Sequence, residues 1–132
     1  MSDGKQVSLL LAAAERDLIA LHGMKDITVF ADEIFGFHVQ QAVEKLFKAW
    51  LALLGETYPT THNLARLLEM LNTHGVETKD FDELVEFTPY AVQFRYAPSE
   101  PNSIPLDREQ AVEGVRALFE VVRRKLNDME TP

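Results

Sequence analysis

Cysteine is absent from the 132 residues, which removes a disulfide framework and a thiol nucleophile together. That absence fits a reducing compartment, and the expected location is the cytoplasm. Serine is scarce, with four residues and no G-x-S-x-G elbow to activate one of them. The six glycines are scattered, so no glycine-rich loop is available to cradle a phosphate. Four histidines occur, His22, His38, His62 and His74, but no two share the i, i+3 or i, i+4 spacing of helix-borne metal ligands. Neither a metal nor a cofactor is expected. No apolar run approaches the ~18–20 residues that span a bilayer, so no membrane association is expected. The first residues, MSDGKQVSLLLAAAERD, soon meet Glu15, Arg16 and Asp17 and lack the basic start of a secretory signal.

Positive charge is also in deficit. Thirteen Lys and Arg face twenty-one Asp and Glu, for a net charge of −8. Such a chain repels polyanions at long range, which argues against DNA and against broad nucleic-acid binding. A mononucleotide, or RNA held in a local basic pocket, stays open. The cluster Arg123, Arg124 and Lys125 suits the last turns of a helix, where cations complement the dipole.

What is present is apolar and helical. Hydrophobic residues make up 46%, enough for one domain over residues 1–132. Val7, Leu11, Ala14, Leu18 and Leu21 mark a first helix from about Gln6 to His22, with Gly23 as its stop. A second helix is expected from about Thr28 to Leu54, with Val39, Val43, Leu46, Trp50 and Leu53 as its seam and Gly55 as its end. Gly36 lies inside it, at about 1 kcal/mol relative to Ala. Pro59 forbids continuation, and Thr60 or Thr61 is the expected cap of a third helix. That helix should bury Leu64, Leu67, Leu68 and Leu71 and stop at Gly75. Asp80 with Glu83 forms a capping-box pattern for a fourth helix, which Pro89 should kink or break. The three prolines of APSEPNSIP make a loop. Asp107 and Gln110 cap a last helix that buries Ala111, Val115, Leu118, Val122 and Leu126, with Phe119 beside them. Nothing alternates with period two. The fold class is all-α, a four- to five-helix up-and-down bundle.

On the second helix His38, Gln41 and Lys45 share a narrow sector, with Glu44 and Lys48 at its edge and Ala49 and Ala52 within it. Either this is a solvated face, or it is a polar groove or dimer face that small side chains let a neighbour approach. The Asp32–Glu33 and Asp80–Asp82 pairs read as ordinary acidic surface. His62 should bond locally at a helix start, and His22 and His74 should sit at helix ends. Arg95, beside Tyr96 and ahead of the proline loop, could fork onto a phosphate or clamp a carboxylate such as Glu100.

Three stretches, FHVQQAVEKLFKAWLALLG, THNLARLLEML and FTPYAVQFRYAP, together resemble the HEPN family (higher eukaryotes and prokaryotes nucleotide-binding). The likeness runs from about Leu9 to Leu126. Its most specific phrase is H-x-Q-Q-A-x-E-K, His38 to Lys45, joined by T-H-x-L at Thr61 to Leu64 and R-Y-x-P at Arg95 to Pro98. The resemblance implies a helical bundle, usually a homodimer, often encoded beside a small nucleotidyltransferase as a toxin–antitoxin pair. Bundles similar to the family's form the C-terminal half of antibiotic nucleotidyltransferases. Many members of the family are metal-independent RNases that use an R-x(4–6)-H motif lining a dimer cleft. Here Arg95 matches the arginine, but Tyr96 through Asn102 supply no histidine. Arg16 and His22 meet the bare spacing on the first helix, which two common residue types do by coincidence. The proton transfer such cleavage needs therefore has no evident agent. The resemblance implies a ligand surface in which Lys45 and Arg95 contact phosphate, His38 and Gln41 hydrogen-bond, and Tyr96 stacks. Three readings follow: a nucleotide- or partner-binding protein without catalysis, an RNase toxin with a degenerate site, and a non-enzymatic dimeric interaction module.

Overall fold

Apolar residues at alternating steps of four and three give the first helix, α1 (Gly4–Gly23), a single buried edge made of Val7, Leu11, Ala14, Leu18 and Leu21. The structure is a computed structural model that describes residues 4–91 and 106–130. Gly23 is the last residue of α1 rather than the position beyond it, and its φ is not positive.

The second helix, α2 (Asp32–Leu53), is buried on more than one side. Phe35, Ala42, Phe47, Ala49 and Leu51 are buried along with Val39, Val43, Leu46 and Trp50. A helix apolar nearly all round must be surrounded. Accordingly α2 contacts α1, α3 (Leu64–Thr73), a 3-10 helix (Lys79–Phe87) and α4 (Arg108–Glu130). Among the described residues none is in a β-strand, and no helix is long and apolar enough to cross a membrane. The bundle is all-α. The expected proline loop, residues 97–105, lies outside the described residues.

α2 starts four residues later than the sequence suggests, at Asp32 instead of Thr28. The Asp26 carboxylate accepts hydrogen bonds from the Thr28 amide (2.9 Å) and hydroxyl (2.6 Å), which favours a turn over helix. Arg108 fixes the turn from beneath. Its guanidinium donates to the carbonyls of Met24 and Phe30 and to Asp32 Oδ1, each at 2.7 Å, and lies 4.9 Å from the Phe35 ring centroid.

The caps explain the other boundaries. Gly55 (φ +79°) and Gly75 (φ +80°) follow α2 and α3 in the left-handed conformation. Glu56 N–H donates to Leu51 O and Gly55 N–H to Ala52 O, the paired bonds of a Schellman motif. Val76 with Leu71, and Gly75 with Asn72, repeat it at the end of α3. The N-cap of α3 is Asn63, whose side chain accepts from the Arg66 amide at 3.2 Å. Thr60 and Thr61 do not cap it; Thr61 Oγ1 accepts from the Asn63 amide instead. The expected cap of α4 is in place, with Asp107 Oδ1 accepting from the Gln110 amide at 3.0 Å.

The fourth element is a 3-10 helix, not an α-helix capped by Asp80. Its pattern says why. Thr78, Phe81 and Leu84 are buried and Phe87 is half-buried, a period of three that matches three residues per turn. Thr78 Oγ1 donates to Asn72 Oδ1 at 2.7 Å and ties the start to α3. At the end, Thr88 Oγ1 donates to Val85 O and accepts from the Leu64 amide, one of the open donors of α3. The break expected at Pro89 falls here.

Gly36 is explained by Tyr90. A Cβ on Gly36 would come 2.4–2.6 Å from ring atoms of Tyr90. Gly36→Ala is therefore expected to destabilise by about 1–3 kcal/mol through overpacking, although Ala gains about 1 kcal/mol of helix propensity. In a Tyr90→Ala background the same change becomes neutral or stabilising. Urea unfolding of the four-member cycle checks this, and a cost that survives in that background refutes the contact. Arg108→Met removes the clamp on the α1–α2 turn and is expected to cost roughly 3 kcal/mol by the same assay.

Candidate binding site between the first two helices

His38 and Lys45 are two helical turns apart and project from one face of α2. Asp17, beside the buried Leu18 on α1, reaches between them. One Asp17 carboxylate oxygen lies 3.1 Å from His38 Nδ1, and the other accepts from Lys45 Nζ at 2.7 Å. A carboxylate only accepts, so Nδ1 carries the proton. The Asp17 side chain is 13% exposed, and those of His38 and Lys45 are 29% and 28%. The trio is thus half in water, where such a pair adds modestly to stability and mainly fixes geometry. The edge-on ring of Phe37, 5.5 Å from that of His38 between centroids, flanks the imidazole.

One turn further round, Glu44 is buried and collects three donors. Lys48 Nζ donates at 2.7 Å, Gln40 Nε2 at 2.9 Å, and His62 Nδ1 lies at 2.8 Å. Gln40, fully buried, also donates to His62 O at 3.1 Å, while its own Oε1 accepts from Gln41 Nε2 at 2.8 Å. Burial pushes the Glu44 carboxyl up, but the hydrogen bonds from Lys48, His62 and Gln40 outweigh it and hold the group below its ordinary range. The polar phrase from His38 to Lys48 therefore divides into two networks. One joins α1 to α2 through Asp17. The other joins α2 to the segment ahead of α3 through Glu44.

Of the expected ligand residues, His38 and Lys45 converge on one carboxylate, and Gln41 belongs to the neighbouring network. Arg95 and Tyr96 lie outside the described residues, as does Glu100. His62 bonds across 18 residues rather than locally. Ala49 and Ala52 do admit close neighbours, but these belong to the same chain: Ala52 lines a recess with Gly4, Val7, Leu126 and Met129, from the ends of α1 and α4. His74 closes the end of α3 as expected. Its Nδ1 lies 2.9 Å from Met70 O and its Nε2 3.1 Å from Glu56, and these two contacts raise its pKa.

Asp17 was not marked by the sequence as a member of a site, and Gln40 and His62 were marked only as members of the family-like phrases, without the partners they bond here. The signal for Gln40 is its i, i+4 spacing to Glu44 along the buried seam. Asp17 shows a weaker one, a charge flanking the apolar edge of α1. His62 joins only through tertiary folding, which no local spacing records.

A family model, that of the HEPN domain, matches residues 7–127 of the chain. No curated protein and no solved structure matches it.

Glu44 has a depressed carboxyl, so its stabilising effect is fully present above its ordinary value of 4.5 and is lost as pH falls through its lower folded value. At pH 7, Glu44→Gln should cost about 1–3 kcal/mol, because donors lose an ionised partner. The gap between wild type and variant should narrow as pH falls toward 3, in denaturant melts taken across that range. A constant gap from pH 7 to 3 would show that Glu44 is not the ionised hub.

Proposed function

The chain belongs to the HEPN family, and we propose from that premise that it is a non-catalytic, partner-binding member of a two-component pair. The partner chain is a second copy of itself or a small nucleotidyltransferase, in a toxin–antitoxin arrangement. The surface carrying His38, Gln41 and Lys45 makes the contact, with Arg95 and Tyr96 contributing to it.

The observation that supports this reading is that both lysines of the α2 face are closed onto carboxylates of their own chain, Lys45 on Asp17 and Lys48 on Glu44. A phosphate would have to displace the half-buried Asp17 or the buried Glu44 and leave that carboxylate without its lysine. A partner surface need not. Half-exposed, charge-balanced donors and acceptors at fixed positions suit a polar protein interface, in which directional hydrogen bonds set register. This favours a protein partner over a mononucleotide for the described part of the surface.

Light scattering of the chain alone, and of the chain co-expressed with any small nucleotidyltransferase found encoded beside it, tests the proposal. The expected result is a dimer or a hetero-complex that His38→Glu with Lys45→Glu weakens at least about tenfold, since like charges then face Asp17 and the partner. Calorimetry with ATP, GTP and UTP should give no binding. A strict monomer that retains no nucleotidyltransferase overturns the proposal. So does nucleotide binding that Arg95→Ala abolishes, which would assign the surface to phosphate.

A further inference from the structure

A groove of about 620 Å³ runs between the 3-10 helix and the first turns of α4. Its floor is apolar, formed by Leu84, Phe87, Leu106, Ala111, Gly114 and Ala117. The floor is kept low by Gly114, where a Cβ would come 3.1 Å from Leu84 Cδ2. Among the described residues its charged rim is acidic, with Asp80, Glu83, Glu86, Asp107 and Glu113 beside the neutral Gln110. Arg116 satisfies Glu113 with a bidentate pair at 2.6 and 2.8 Å, and Lys25 and His22 lie in the field of the same carboxylate. Among the described residues no ion pair closes on the other four: Glu83 accepts only from the neutral Gln110 amide, and Asp107 caps α4.

We infer that this groove docks a basic amphipathic helix of a partner protein. Two properties of the groove select that occupant. Four carboxylates without an ion-pair partner among the described residues, set around an apolar floor, attract cations that carry apolar surface, and they repel nucleic acid and acidic segments. The length also fits. Asp107 and the first turns of α4 to Ala117 extend about 15 Å, which matches roughly ten residues of a docked helix and places apolar anchors at i, i+4 and i+7 along the floor. Lysine or arginine flanking that stripe would then meet Asp80 and Glu86 on one wall and Asp107 on the other. The site shares no residue with the α1/α2 face, so it stands or falls independently of the partner proposed there.

The test uses the full chain and a fluorescein-labelled synthetic helix of about twelve residues, with leucines at i, i+4 and i+7 and lysines on the flanks. Anisotropy should show binding to wild type that Asp80→Lys with Glu86→Lys weakens by at least about tenfold. These two residues are exposed, so the fold should survive, and circular dichroism verifies that it does. Glu69→Lys with Asp128→Lys makes the same change of net charge away from the groove and should leave binding near wild type. Ala117→Arg, which fills the floor, should weaken it as well. The inference fails if the two charge-reversed pairs weaken binding equally, for then only net charge is being read. It fails if a peptide with glutamates in place of the lysines binds as tightly. It also fails if the chain self-associates through Asp80 and Glu86, because the groove would then hold a second copy.

Discussion

A carboxylate taken out of water must be met by its own chain, and Glu44 is where this requirement governs the bundle. α2 is apolar on nearly every side, so the few polar groups it turns inward cannot be left to solvent. Glu44 receives Lys48 and Gln40 from its own helix and His62 from the segment ahead of α3. The last of these has architectural consequences. With His62 held at both its ring and its carbonyl, the following residue, Asn63, is placed to cap α3. From there Leu64 enters the core, and its amide is taken up by Thr88 from the end of the 3-10 helix. One buried charge thus bears on two boundaries, the start of α3 and the end of the 3-10 helix.

At the start of α2 the same rule is met by a cation. The Arg108 guanidinium is buried, and two backbone carbonyls and Asp32 surround it. Its geometry couples the α1–α2 turn, the first turn of α2 and the start of α4. Lysine could not replace it, because a point charge cannot span three acceptors on a planar fork. Close by, the Tyr90 ring rests on Gly36, so backbone and aromatic meet where any side chain would collide. Burial raises the Tyr90 pKa, and Asp32 and Glu33 add to the effect, which keeps the phenol neutral beside those carboxylates. Between the anionic hub and the cationic clamp, α2 is fixed at its start and again past its middle by hydrogen bonds that tolerate little change of register.

The fold was legible because its periodicities are simple. The buried edges of α1, α3 and α4 follow from their spacing, and the glycine stops at Gly55 and Gly75 follow from the left-handed conformation each must adopt. What periodicity misread had a local competitor. Asp26 offers the backbone of Thr28 an alternative to helix, so α2 begins late. The run from Thr78 to Phe87 repeats every three residues, and a capping-box pattern at Asp80 drew attention from that period to an α-helix. The candidate surface was half legible. The family-like phrase marked His38, Gln41 and Lys45, but spacing along one helix cannot show that Asp17 from another helix stands between two of them. Arg108 was invisible as a clamp for the same reason, since its acceptors are backbone carbonyls 78 and 84 residues away.

The distribution of charge, rather than its sum, gives the surfaces their different characters. Of the thirteen basic residues, Lys45, Lys48, Arg108, Arg116 and Arg123 are bound to carboxylates of the same chain. Where these pairs lie, the exterior field is nearly balanced, and recognition must rest on hydrogen-bond geometry and shape. Along the 3-10 helix and the start of α4, the acids outnumber their partners among the described residues, and the field is steep. Contacts of the first kind vary little with ionic strength, because balanced pairs release few ions when they are covered. Contacts of the second kind weaken as salt rises, since the Debye length falls from about 10 Å at 0.1 M to about 3 Å at 1 M. The salt dependence of any binding reaction therefore reports which of the two surfaces is engaged, before the partner is known.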